Sequence, residues 1–400
     1  MSDFLSLFEG YGIEAEYMIV QKENLSIQPI AEKVLGTLNN GKVINEVEQG
    51  RVSWSNELVA HVLELKCTSP EADLNQFDKV FHESILKVNK ILEQENCILM
   101  PTAMHPWMNP DKETVLWPYG QKDIYNKYNE IFGCRGHGWS NLQSVHMNFP
   151  FANDEEFAKL HAAIRVILLL VPYLAASSPY FEGKAGPLTD NRLSFYEQNQ
   201  IKVPSITGAV IPEDIYTLKD YEKMLQKVYK DIAPYDPDGI LQHSWLNSRG
   251  AIVKFDVQAI EIRVMDIQES PYMDYALIHL FTALLKKIIS STSSLNKAKK
   301  VPTEVLRLAY TSSKKYELEK LPAEYAQVFD FFDGKATTFQ QLSLEIMNRL
   351  KGEIPKYYHK GLEVILEKGN LSKRLTKNKT LKKDEYRKLT QILSQNKIYE

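Results

Sequence analysis

Four hundred residues, 44% apolar and 10% aromatic, are ample for a large core built as one big domain or two. A formal net charge of −3 gives no global argument for nucleic acid or an anionic membrane surface as a partner. Three widely spaced cysteines, Cys67, Cys97 and Cys134, form no C-x-x-C pair, which points to a reducing, cytoplasmic setting rather than a disulfide framework or a zinc knuckle.

The opening MSDFLSLFEG has neither a basic segment nor a long apolar run, so no signal peptide is expected. Ile13 to Val20 reads as a strand, and a helix follows around Ile30 to Leu38, ended by Asn40-Gly41. Val43 to Trp54 reads as a second extended segment, and Leu58 to Lys66 as a third, stopped by Thr68-Ser69-Pro70. Leu74, Phe77, Phe81, Ile85, Val88 and Leu92 recur at helical spacing, and Ile98 to Thr102 is again strand-like. Residues 105–141 and 182–212 are rich in Pro, Gly and aromatics and are expected to be long functional loops.

Between those loops, Val145 to Phe149 is a short strand. Asn153 caps a central helix from about Glu155 to Ala176, with Glu156 as a capping-box partner. Its uncharged stretch, Val166 to Phe181, is too short and too broken by Pro172 and Pro179 to cross a membrane. Leu218 to Ile232 is an amphipathic helix, Ile252 to Ile267 one or two strands, and Met273 to Ser290 a long apolar helix. From about residue 291 the chain becomes Lys-rich and helical; it is a buttress on the core or a homodimer surface. Residues 361–400 hold ten Lys or Arg against five Asp or Glu, read as a solvated surface. The sum is an α+β fold: a mainly antiparallel sheet, helices packed against it, and a helical carboxy-terminal portion.

Chemistry-bearing residues gather on strands. No phosphate loop, dinucleotide-binding glycine turn, nucleophile elbow or H-E-x-x-H occurs. Instead, the period of two puts Glu14 and Glu16 on one face, with Ile13, Ala15, Tyr17 and Ile19 on the other. The same pattern gives His146 and Asn148 a shared face, and likewise Glu261 and Arg263. Glu64 lies on the third extended segment; Glu57, seven residues before it, reaches the same side only from off the strand end or across a bulge. Alone, each such residue is a solvated acid, a structural His or an internal ion pair. Together, carboxylates with an imidazole suit hard divalent cations such as Mg²⁺ or Mn²⁺.

Six segments in order resemble the glutamate–cysteine ligases and related carboxylate–amine ligases. They are Gly12-Ile13-Glu14-Ala15-Glu16, the acidic run from Glu57 to Pro70, His146-Met147-Asn148-Phe149, Leu168 to Gly183, Asn191-Arg192-Leu193-Ser194, and Ala259 to Asp266. Ser144 stands where many of the group carry the first His of H-x-H-x-G, so the histidine strand is closer to the bacterial glutamate–cysteine ligase pattern.

The resemblance, which covers roughly residues 10–290, implies a glutamine-synthetase-like fold: a curved antiparallel sheet around an active-site funnel, over a ligase domain of residues 1–290 with a helical extension at 291–400. It implies that Glu16, Glu57 and Glu64 bind one Mg²⁺ and Glu14, His146 and Glu261 another, on either side of ATP. It assigns Arg263 and Arg192 to catalysis, and Arg263 and Asn148 to the nucleotide. The implied reaction joins glutamate to cysteine or another amine through an acyl phosphate, the first step of glutathione biosynthesis. Two other readings stand beside it: a non-catalytic nucleotide- or amino-acid-binding relative, and a kinase that stops at the phosphorylated product.

Overall fold

Alternation of polar and apolar residues along short β-rich runs builds one sheet with two unlike faces. The computed structural model describes residues 4–315, 320–332, 336–377 and 380–400. Among these lie ten strands: β1 (Gly12–Gln21), β2 (Glu46–Gln49), β3 (Val52–Asn56), β4 (Val62–Cys67), β5 (Cys97–Met100), β6 (Ser144–Pro150), β7 (Tyr180–Phe181), β8 (Lys184–Ala185), β9 (Ala251–Lys254) and β10 (Ala259–Asp266). The main sheet runs β2-β3-β4-β1-β6-β10-β9, with β5 on the far half of β1 and β7-β8 a separate hairpin. Every pairing is antiparallel.

Register sets the site. Glu14 stands opposite Lys66 of β4 and His146 of β6, and Glu16 opposite Glu64. Ser55 of β3 also faces Glu64, and Glu261 of β10 faces Asn148. Between Ile262 and Met265, β10 advances three residues while β6 advances two, from Met147 to Val145. This bulge puts Val264 and Met265 both in the core and turns Asp266, opposite Ser144, toward the polar side.

The other face buries Ile13, Ala15, Tyr17, Ile19, Leu65, Met147, Ile260 and Ile262 in one large apolar cluster. Helices in order are α1 (Ala31–Thr37), α2 (Asp78–Leu92), α3 (Pro110–Glu113), α4 (Lys122–Phe132), α5 (His137–Ser140), α6 (Asp154–Ile167), α7 (Leu170–Ala175), α8 (Asn191–Tyr196), α9 (Leu218–Ile232) and α10 (Pro271–Ser290). Phe81, Ile85 and Val88 of α2 and Leu277, Phe281 and Leu284 of α10 close that cluster. It continues into the carboxy-terminal helices through Leu306, Phe339, Leu350 and Tyr358. A second cluster seats Leu371, Tyr386 and Leu389 on Met18, Val20 and Met100.

Some expectations change. Val43 to Trp54 is not one extended segment but the hairpin β2-β3, turning at Gly50 with φ +81°. The helix expected over Glu155 to Ala176 breaks into α6 and α7, because Pro172 has no N–H to give to the preceding turn. Asn153 does cap α6, its Oδ1 accepting from Glu156 N at 3.0 Å. Glu156 does not complete a capping box: its carboxylate accepts from Ala152 N and Leu7 N, pinning the amino-terminal segment. The expected loops hold α4, α5 and α8, which wall the polar side of the sheet.

Candidate active site

A cavity of about 620 Å³ opens on the polar face. Its floor is the acidic rows of β1, β4, β6 and β10; its walls carry Tyr125 and Tyr128 of α4, Trp139 of α5, Arg192 and Tyr196 of α8, and Trp245. The site is thus the union of one sheet face with three short helices drawn from the irregular stretches.

Two groups of donors converge on the floor. Carboxylate oxygens of Glu14 and Glu261 and a ring nitrogen of His146 lie within 4.8 Å of one another, as do those of Glu16 and Glu64 with His146. His146 serves both: Nδ1 is 3.2 Å from Glu14, and Nε2 is 3.0 Å from Ser144 Oγ and 3.8 Å from Glu16. Ser144 in turn donates through its N–H (2.7 Å) and its hydroxyl (3.0 Å) to Glu16 Oε2. Glu57 lines the same cavity but lies outside both groups. It reaches the cavity without a bulge: it sits just past the end of β3, in phase with Ser55, whose cross-strand partner is Glu64. Strict alternation from Glu57 to Glu64 fails because the β3–β4 turn separates them.

Electrostatics divide the floor. Burial works against ionising Glu14, but the His146 hydrogen bond and the Lys254 ammonium outweigh it and hold the carboxyl well below its ordinary range. Burial opposes Glu261 likewise, and Arg263, with His146 and Lys254, pulls it below normal. Burial would depress His146, yet its hydrogen bond to Glu14 and the charges of Glu261 and Glu16 raise it. Glu64 goes the other way, pushed up to about 7 by burial and then by the charge of Glu14. Glu57 is raised well above normal by burial and by Glu64 and Glu16. The donor set is all oxygen and imidazole nitrogen, and one of its carboxyls, Glu64, together with the neighbouring Glu57, is short of positive charge. Such a set fits Mg²⁺ or Mn²⁺.

The arginines differ in station. Arg263 holds Glu261 Oε1 through Nε at 3.0 Å and Nη2 at 2.5 Å, at the cavity wall. Arg192 is fully buried and ion-paired to Asp266, which Ser177 N and Ser178 Oγ also bind. Its Nη1 reaches the Arg263 carbonyl at 3.5 Å, while Nη2 has no protein partner. Asn148 is not part of the cavity lining; its amide donates to Glu14 Oε1 at 3.0 Å and orients that carboxylate. Arg165 is structural but not in an ion pair, since its partners are Pro212 O, Tyr216, Val301 O and Thr303.

Sequence reasoning missed Lys66, Lys254 and the aromatic wall. Lys66 lies 3.5 Å from Glu64 and 2.7 Å from Glu46. Lys254 touches Glu14 at 2.9 Å and Glu261 at 2.5 Å. The signal for Lys254 was present: pairing β9 with β10 sets Lys254 opposite Ala259, two residues from Glu261.

A solved glutamate–cysteine ligase from Francisella tularensis in complex with AMP has the same fold: TM-score 0.64, 17% identity, covering 100% of this chain and 91% of that one. The glutamate–cysteine ligase family 2 profile matches residues 11–330, and the chain belongs to that family. The reaction class that comes with membership is carboxylate–amine ligation. An uncharacterised protein of Archaeoglobus fulgidus is 31% identical over 393 residues, 97% of this chain and 99% of that protein.

Proposed function

We propose that this protein is an ATP- and Mg²⁺-dependent ligase that joins the γ-carboxylate of glutamate to the amine of cysteine, giving γ-glutamylcysteine, the first product of glutathione biosynthesis. The observation that carries the reading is the pair of donor groups sharing His146 on the floor of one cavity, with Arg263 and Arg192 at its wall. The glutamate–cysteine ligase with the same fold was solved with AMP, which supports a nucleotide in the cavity.

In this reading, Glu14, His146 and Glu261 hold one divalent ion, and Glu16 and Glu64, with Glu57 beside them, hold another. Ions held there would supply positive charge against the nucleotide polyphosphate. Arg263 orients the acid substrate or the phosphoryl oxygens as a fixed planar donor. Arg192, clamped by Asp266, aims its unpartnered Nη2 as a second fixed cation. The substrate carboxylate attacks the terminal phosphorus, releasing ADP and leaving an acyl phosphate. The amine then adds to the acyl carbon, loses a proton, and phosphate departs as the amide forms. Tyr128, Trp139 and Trp245 line the cavity and present aromatic surface against the water that would otherwise hydrolyse the acyl phosphate.

The test is turnover of purified protein with Mg-ATP, glutamate and a panel of amines, read as ADP release and amide mass. ADP release that needs both acid and amine supports the ligase, and the best amine names the substrate. Absence of product with every acid–amine pair overturns it.

A further inference from the structure

Lys254 stands where the ligation chemistry needs no lysine. Its ammonium lies 2.9 Å from Glu14 Oε1 and 2.5 Å from Glu261 Oε2, two of the three residues of the first donor group. A divalent ion bonded to those oxygens at about 2.1 Å takes the same small space. Two cations cannot share it, because the repulsion of like charges at such separation in a half-buried site is large. The lysine and the ion are therefore alternatives.

The lysine is also built to leave. Its side chain is 38% exposed, whereas that of Glu261 is 2% exposed. It ends β9, just before the turn at Phe255–Val257, with Asp256 and Val257 on the cavity rim. Rotation about its stem moves the ammonium from the floor into the open cavity without unpacking the sheet. The second donor group lacks an equivalent: Lys66 is 3.5 Å from Glu64 and turned to Glu46 at 2.7 Å.

We propose that Lys254 is a tethered counter-cation for the Glu14–His146–Glu261 group: a divalent ion must displace it to enter, and the freed ammonium then faces the nucleotide polyphosphate. It is a positioning residue for ion loading, and loading is ordered. The Glu16–Glu64 group fills first, and the guarded group fills when a nucleotide receives the lysine. The proposal rests on the metal reading of the floor and is independent of which acid and amine are joined.

The test titrates Mn²⁺ into the full-length protein, followed by paramagnetic resonance, without nucleotide and with a non-hydrolysable ATP analogue. Wild type should bind one ion tightly and a second weakly, the second tightening when the analogue is added. Lys254→Met should tighten the second ion by about tenfold or more without nucleotide, the scale of a lost charged hydrogen bond. The analogue should then add less than in wild type. Reductive methylation of wild type, read by mass spectrometry, gives a variant-free measurement: Mn²⁺ at concentrations that fill the weak second site should speed labelling of Lys254, and the analogue should slow it again. Equal or weaker Mn²⁺ binding in K254M overturns the proposal while leaving the metal reading intact. So does a labelling rate indifferent to Mn²⁺, which alone decides if K254M is unfolded. If neither protein binds Mn²⁺, the metal reading fails and the proposal with it.

Discussion

The two halves of the cavity floor are comparably buried acidic surfaces whose carboxyls are shifted in opposite directions. Around Glu14 and Glu261, His146, Lys254 and Arg263 surround the carboxylates and hold both below their ordinary range. Around Glu57 and Glu64, the nearest ammonium is Lys66 at 3.5 Å, and both carboxyls are raised. Burial acts the same way on all four, so the neighbouring charge decides the sign. One half is ringed by three cationic side chains; the other has Lys66 alone, drawn toward Glu46.

Glu14→Gln breaks the compensated half most directly. It removes a donor facing His146, Lys254 and Asn148, and should lower ADP release by on the order of a thousandfold, the scale of losing one fixed electrostatic partner at a reacting centre. Circular dichroism should show an unchanged fold, and a loss under tenfold would place the chemistry elsewhere. Asp266→Ala reaches the same half from behind. It strands the buried Arg192 guanidinium without its carboxylate, and urea unfolding should show a loss of about 3–5 kcal/mol. A loss below about 1 kcal/mol would mean that Arg192 finds another partner.

The uncompensated half predicts a pH dependence. A carboxyl raised from 4.5 to about 7 on folding binds its proton more tightly in the folded state than in the unfolded one. Its contribution is therefore full below about 4.5 and is lost as pH rises through 7. In metal-free protein, Glu64→Gln should therefore gain on wild type by a few degrees of melting temperature between pH 5.5 and pH 8, a comparison in which the buried His61, His105 and His161 cancel. Mg²⁺ should raise the melting temperature more at pH 8, because binding there displaces fewer protons. A Mg²⁺ effect independent of pH would remove Glu64 and Glu57 from the metal site. The smallest effect belongs to Glu57→Gln, which replaces a poorly compensated acid with a neutral isostere. At pH 8 without metal it should stabilise by about 1 kcal/mol, while weakening Mg²⁺ binding. Destabilisation would show that Glu57 has a cationic partner in solution.

Much of the floor was legible from period two alone: Glu14 with Glu16, His146 with Asn148, and Glu261 with Arg263 each share a face as their parity demands. Glu57 was ambiguous because its side depends on where β3 ends and β4 begins, which alternation does not state. The walls were hidden because α4 builds its buried stripe from Tyr128 and Ile131 beside half-buried Tyr125, in a stretch dense with polar residues. Lys66 and Lys254 escaped notice because a strand lysine is ordinarily a solvated one; Lys66 shares its face with Glu64 on the same strand, whereas only the β9–β10 pairing brings Lys254 to Glu261.

The extra residue in β10 has a consequence for how this strand tolerates change. Side-chain identities at Val264 and Met265 can drift among apolar residues of similar volume, since both only fill the core. The count of residues can fall by one as well: deleting Val264 or Met265 would make the pairing with β6 regular and leave Asp266 opposite Ser144, still on the Arg192 side. What the strand cannot bear is to lose the bulge at constant length, because strict alternation from Glu261 would then send Met265 to the cavity side and Asp266 into the apolar layer. The bulge, more than either residue in it, is what keeps an acid under Arg192.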